Sequence, residues 1–211
     1  MASGDRLPTP ERFVAFCFAG AATPEGRRHL PISFRYREHK SEEFLPEWQG
    51  EWVSAPSAGR VTQHTVTLTD GDTGLWCRCE IAAYAEYPAV EWVAYFRNTG
   101  STDTPIISDI QALDARFPLA ADRPCELHYA KGSQSQADDF APLKVALPPD
   151  GSSALFAWGG RSSSGTLPFF NIALDNEGVV GAIGWSGGWQ ASFSRDDSGL
   201  HISAGIRSTH L

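Results

Sequence analysis

Apolar and polar residues alternate with a period of two along much of this chain, and that pattern fits a strand with one buried face rather than a helix. Leu75, Cys77, Cys79 and Ile81 alternate with Trp76, Arg78 and Glu80, and Val90, Trp92, Ala94 and Phe96 alternate with Glu91, Val93, Tyr95 and Arg97. Leu200, Ile202, Ala204 and Ile206 repeat the pattern against His201, Ser203, Gly205 and Arg207. Strand-like runs recur from end to end: Arg12 to Phe18, Ile32 to Arg37, Arg60 to Thr69, Leu75 to Ala82, Ala89 to Asn98 and Thr104 to Phe117. They continue with Ala154 to Trp158, Phe169 to Leu174, Val179 to Trp185, Trp189 to Phe193 and Leu200 to Ile206. These runs predict an all-β chain, a two-layer antiparallel β-sandwich.

The punctuation agrees. Asp70-Gly71, Asn98-Thr99-Gly100, Pro148-Pro149-Asp150-Gly151, Asp175-Asn176-Glu177-Gly178 and Asp196-Asp197-Ser198-Gly199 supply the residue types that tight turns select. The stretch from Ala130 to Pro142 is crowded with Gly, Ser, Gln and Asp and reads as a long loop, the kind of segment that carries binding on a rigid sheet scaffold. With 211 residues, folding hides about 70% of the surface of the unfolded chain, so neither disulfides nor a structural metal are required. No internal repeat or low-complexity linker interrupts the pattern, so residues 1–211 are read as one domain.

Charge and composition narrow the partners. Asp and Glu outnumber Lys and Arg by 25 to 17, and no basic cluster offers a surface for nucleic acid or for an anionic membrane. The amino terminus has no basic segment followed by an apolar core, and no run approaches the length of a membrane span, so a soluble, cytoplasmic chain is expected. Cys17 and Cys125 are solitary, and Cys77 and Cys79 form a C-x-C on an apolar register, which favours core packing over zinc or redox chemistry. The six His residues show no metal-binding spacing, so no cofactor or metal is implied.

Three chemistries could use a site on such a scaffold. A carboxylate pair for glycosidic hydrolysis would draw on Asp109 and Asp114, which a regular strand puts on opposite faces, or on Asp138 and Asp139, adjacent in the long loop. For the loop pair a turn-capping or solvated role competes with a ligand or cation. No Gly-x-Ser-x-Gly elbow supports a nucleophilic triad. A sugar receptor, by contrast, needs flat aromatic surfaces beside hydrogen-bonding groups. Trp185 and Trp189 flank the open turn Ser186-Gly187-Gly188, and Arg161 sits in a Gly- and Ser-rich loop. Spacing leaves two readings of the tryptophans open, a shared sugar-facing surface or core plugs at strand ends.

The segment Gly160-Arg-Ser-Ser-Ser-Gly-Thr-Leu-Pro-Phe-Phe-Asn-Ile-Ala-Leu174, followed by Gly178-Val-Val-Gly-Ala-Ile-Gly-Trp-Ser-Gly-Gly-Trp-Gln-Ala-Ser-Phe193, resembles the amino-terminal β-domain of α-galactosidase-like enzymes of glycoside hydrolase family 36 and its relatives. Val90-Glu-Trp-Val-Ala-Tyr-Phe-Arg-Asn-Thr-Gly100, Ile106 to Phe117, His128-Tyr-Ala-Lys-Gly-Ser133 and Asp138-Asp-Phe-Ala-Pro142 extend the resemblance over most of the chain. The element Trp-Ser-Gly-Gly-Trp replaces the family's Tyr-Ser-Gly-Asn-Phe, which implies a divergent branch.

The resemblance implies a β-supersandwich that supports a catalytic (β/α)₈ barrel. No counterpart of that barrel occurs in these residues, so a non-catalytic domain or a truncated enzyme is expected. By position it places Gly132 to Phe140, Arg161 to Phe170 and Trp185 to Trp189 towards the barrel or a glycan, with Trp185, Trp189, Arg161, Asp138, Asp139 and Phe140 as the contact residues. It implies a carbohydrate, galactoside or related glycan, as partner, and an uncovered apolar patch that favours homo-oligomers. On this reading Trp185→Ala and Trp189→Ala both weaken binding without unfolding the domain. A freestanding carbohydrate-binding protein and a small hydrolase that assembles Asp109 or Asp138 across the fold are the alternatives.

Overall fold

A computed structural model describes residues 9–56, 60–175 and 177–211. The amino-terminal segment read above for a targeting signal and Asn176 of the Asp175–Gly178 turn lie outside the described residues. The fold is all-β, with 52% strand against 12% helix and sheets paired antiparallel throughout. Contacts divide the described chain into two compact units, residues 9–112 with 210–211 and residues 113–209.

The first unit starts with helix α1 (Pro10–Cys17), where a strand was expected over Arg12 to Phe18. The cause is local. The Thr9 hydroxyl accepts from the Arg12 N–H at 3.4 Å, Pro10 fits the first helical turn, and Glu11 complements its positive end. The apolar residues Phe13, Val14, Cys17 and Phe18 follow at helical spacing, and Val14, Cys17 and Phe18 are buried. A short 3₁₀ turn, α2 (Pro24–Arg27), β1 (Ser33–Tyr36), β2 (His39–Lys40) and α3 (Ser41–Phe44) lead into a four-stranded meander. Its strands are β3 (Gln49–Pro56), β4 (Val61–Thr69), β5 (Leu75–Tyr84) and β6 (Val90–Asn98), in sequence order across the sheet.

Register puts Val66 opposite Cys79 and Cys79 opposite Ala94, so one sheet face is apolar, as the alternation predicts. Burial pushes the Cys77 thiol up to about 12 and raises Cys79 as well, so both behave as small hydrophobes. Phe34 meets Phe96 and Phe44 edge-on at 5.0 and 5.5 Å in the same core. Arg27 is also buried there without a carboxylate partner among the described residues. Its guanidinium donates to the carbonyls of Ala21, Leu45 and Pro46 and closes the helical segment over the sheet.

Strand β7 (Ile107–Pro118) serves both units: its first residues pair with β1 in the first, and its later residues lie beside β14 in the second. The second unit contains β8 (Glu126–Lys131), β9 (Pro142–Ala146), β10 (Ser152–Phe156), β11 (Thr166–Leu174), β12 (Glu177–Ala182), β13 (Trp189–Asp196) and β14 (Gly199–Ile206). One sheet runs β10-β13-β14 and on to β7, the other β12-β11-β8-β9. Leu127, Phe170 and Ile172 from one sheet meet Leu155, Trp189, Phe193 and Ile202 from the other, and the Phe170 and Phe193 rings stand 4.9 Å apart edge-on. This is two-layer packing with the expected in-out alternation. Turn chemistry also follows the sequence. Asp196 accepts from the N–H groups of Ser198 and Gly199 to close the β13–β14 hairpin, and Asn98 accepts from the Gly100 N–H.

Candidate functional site

Three loops meet at one end of the second unit: 132–141 between β8 and β9, 157–165 between β10 and β11, and 183–188 between β12 and β13. They are tied by backbone hydrogen bonds. The Gly132 N–H donates to the Gly165 carbonyl, Ser133 to Ser163, Trp158 to Ser164, and Ser162 to Ser186. The approach is so close that a Cβ on Gly132 would fall 1.9 Å from the Ser163 oxygen. Gly165 has φ +94° and lies under the Trp158 ring, which leaves no room for a side chain. The segments named from the sequence, Gly132 to Phe140, Arg161 to Phe170 and Trp185 to Trp189, thus form one cluster.

Within the cluster the expected residues take different roles. Trp189 is fully buried, and its indole N–H donates to the Ser162 carbonyl at 2.7 Å, so it plugs the sandwich and anchors the 157–165 loop from below. Trp185 is 47% exposed. The two tryptophans therefore do not form one exposed face, and the expectation that both could be truncated without unfolding holds no longer for Trp189. The reason is that β13 begins at Trp189 and points it inwards, while β12 ends at Ala182 and leaves Trp185 in the loop.

Arg161 donates to the Ser133 carbonyl at 3.3 Å and bridges two loops. Phe140 has φ +65° and stands 57% exposed at the tip of its loop. Asp138 pairs with Lys131. Asp139 accepts from the backbone N–H groups of Gln134 and Ser135 at 2.9 Å and from the Ser133 hydroxyl, so the adjacent carboxylates serve the loop's own folding.

The Gln134 N–H first, with Gln136, Ser135 and Ser133, holds the Asp139 carboxyl below the usual carboxylate range. Because the folded value is the lower one, the cap's contribution is complete above the ordinary Asp range and is lost as pH falls through the folded value. Amide exchange at Gln134 and Ser135 is expected to speed up in acid with the rest of the sandwich still protected. Asp139→Asn is expected to show the faster exchange already at neutral pH.

Asp109 has φ +50° at the irregularity where β1 and β7 shift register, and it accepts from the Gln111 side chain. Asp114 instead contacts His201, with 2.5 Å between Oδ1 and Nε2. The sequence reading missed that partnership because it joins residues 87 positions apart. It also missed two exposed aromatics. Phe156 and Trp158 point outwards from β10 and the following loop, because Leu155 and Ala157 take the inward register.

A depression of about 290 Å³ lies on the outer face of β10, β13 and β14, lined by Ala154, Phe156, Gln190, Ser192, Ser203 and Arg207 among others. A second, of about 10 Å³, is apolar. Neither is lined by a carboxylate. Among the described residues no group of three or more His, Cys, Asp or Glu could hold a metal ion, and no helix is long and apolar enough to cross a membrane.

No protein-family model and no curated protein matches the sequence. The fold is similar to solved glycosidases. The α-galactosidase from Lactobacillus brevis superposes with a TM-score of 0.64 at 14% identity, covering 86% of this chain and 27% of that one. The family 36 α-galactosidase AgaB from Geobacillus stearothermophilus gives 0.57 at 15% identity, with 84% and 26% covered. A variant of AgaA from the same organism, solved in complex with stachyose, gives 0.57 at 15%, with 86% and 28% covered. The chain thus spans about a quarter of the length of the enzymes whose fold it shares.

Proposed function

We propose that this chain is a non-catalytic β-supersandwich domain of an α-galactosidase-like glycoside hydrolase, a body that supports a (β/α)₈ barrel and holds no complete active site. The observation that carries the reading is the fold match itself, most of this chain against about a quarter of each α-galactosidase. Two features of the second unit support it. The two depressions described above lack carboxylates, and the Asp138 and Asp139 side chains are engaged in folding their own loop. Glycosidic cleavage needs two carboxyl groups held about 5 to 5.5 Å apart, or roughly 6.5 to 9.5 Å with a water between them.

The laced loops would then be the surface presented to the barrel or to a glycan, with Trp185 and Phe140 as the contacting rings and Arg161 as the tie that keeps them in place. Uncovered aromatic surface of this kind also favours association with a second copy. The test is turnover. The purified chain, incubated with a chromogenic α-galactoside, is expected to release no more chromophore than buffer, and enzyme-like release would reject the reading.

A further inference from the structure

We infer that the outer face of β10, β13 and β14 is a saccharide-binding surface, separate from the loop cluster. The register builds it. Ala154, Ser192 and Ser203 align in one row across the three strands, and Phe156, Gln190 and Gly205 in the next. Alternation sends Ala191, Phe193, Ile202 and Ala204 into the core, so the outward row is made of short side chains. The low floor is bounded by Phe156, 43% exposed, and by Arg207, whose guanidinium lies over the Phe156 ring at 5.2 Å. That height difference makes the depression of about 290 Å³ on an otherwise flat sheet, close to the lower size of small-molecule sites.

The lining selects a ligand with an apolar face and a hydroxylated rim. Phe156 and Ala154 offer flat apolar surface. The Ser192 and Ser203 hydroxyls share one hydrogen bond at 2.8 Å, which leaves the pair with a further hydrogen and lone pairs to offer. Among the described residues the Gln190 amide has no hydrogen-bond partner and the Arg207 guanidinium no carboxylate. A purely apolar ligand would strand these polar groups dry. A small inorganic anion would leave the ring and the alanine unused. A pyranose satisfies both, resting its C–H face on Ala154 and on the part of Phe156 left exposed by Arg207 and Trp158, and turning its hydroxyls to Gln190, Arg207 and the serine pair. The open shape suits one or two units of a longer chain rather than an enclosed monosaccharide.

The experiment titrates the full chain with stachyose and follows backbone amide shifts, in wild type and in Phe156→Ala, Arg207→Ala and Val180→Ala. Thermal melts of each variant verify folding, and all three side chains are exposed enough to be truncated safely. Saturable shifts at Gln190, Ser192 and Ser203 are expected. Binding should weaken about tenfold in each of the first two variants and stay unchanged in Val180→Ala, whose side chain is exposed on β12 away from both surfaces. Absence of saturable binding by wild type, equal affinity in Phe156→Ala, or shifts confined to residues 183–188 would each overturn the inference. Turnover of an α-galactoside would defeat the scaffold reading and leave this one standing, so the two fail separately.

Discussion

Replacing Arg195 by methionine is expected to unfold residues 113–209 or bring them to the edge of unfolding. The Arg195 side chain is 4% exposed and meets no carboxylate among the described residues. Instead, one terminal nitrogen donates to the Leu147 carbonyl at 2.7 Å, and the other is shared among the carbonyls of Ala120, Ala121 and Arg123 at 3.0, 2.9 and 2.6 Å. The guanidinium thus ties the turn after β7, where the Ala120 carbonyl also accepts from the Arg123 N–H, to the end of β9. Methionine would fill much of the volume while removing all of these bonds and leaving the buried Leu147 carbonyl without this donor.

Hydrogen bonds to charged groups contribute roughly 1.5 to 3 kcal/mol each, and a buried acceptor left without a partner costs about 1 to 3 kcal/mol. A loss of about 4 to 5 kcal/mol is comparable with the whole stability of many domains. Urea denaturation followed by tryptophan fluorescence checks this. Lysine should restore only part of the loss, since it retains the charge without the planar fork that reaches both segments. A methionine variant within about 1 kcal/mol of wild type would show that the carbonyl cage is hydrated or that it relaxes.

The second large effect separates the two tryptophans that flank the glycine turn. Trp189→Ala should cost about 3 to 5 kcal/mol, because it empties a fully buried site in the sandwich and leaves the Ser162 carbonyl without its donor. Loops 157–165 and 183–188 should loosen with it, since Ser162 also donates to Ser186. Trp185→Ala should stay within about 0.5 kcal/mol of wild type, as expected for an exposed side chain away from such features. Trp189→Phe distinguishes the contributions, as it retains most of the packing and removes only the N–H. Equal destabilisation by both alanine variants in chemical denaturation would contradict this assignment.

These contrasts explain what could be read in advance. Alternation of the Leu75–Ile81 kind is legible because one face of the sheet is buried and the other is wet, so residue type reports facing directly. The same logic misses β3, whose Gln49–Pro56 segment carries few apolar residues. It misreads Arg12 to Phe18, where the Thr9 cap and Pro10 outweigh a run of strand-favouring residues. On β10 it would bury the larger rings, whereas Leu155 and Ala157 point inwards and Phe156 and Trp158 outwards.

The loop segments of the candidate site came from resemblance, and the fold brings them together. Which tryptophan faces out depends on where β12 ends and β13 begins, a boundary that glycine-rich sequence leaves undefined. Arg27 and Arg195 were invisible as core residues for another reason. Their partners are backbone carbonyls, and every residue has one.

The most direct test of the central claim is hydrolysis of a chromogenic α-galactoside by the purified chain, run alongside Asp109→Asn and Asp138→Asn. The account predicts release at the rate of buffer alone for all three proteins. Turnover by the wild-type chain that collapses in either variant would contradict it, because a working carboxylate would then reside in this sandwich.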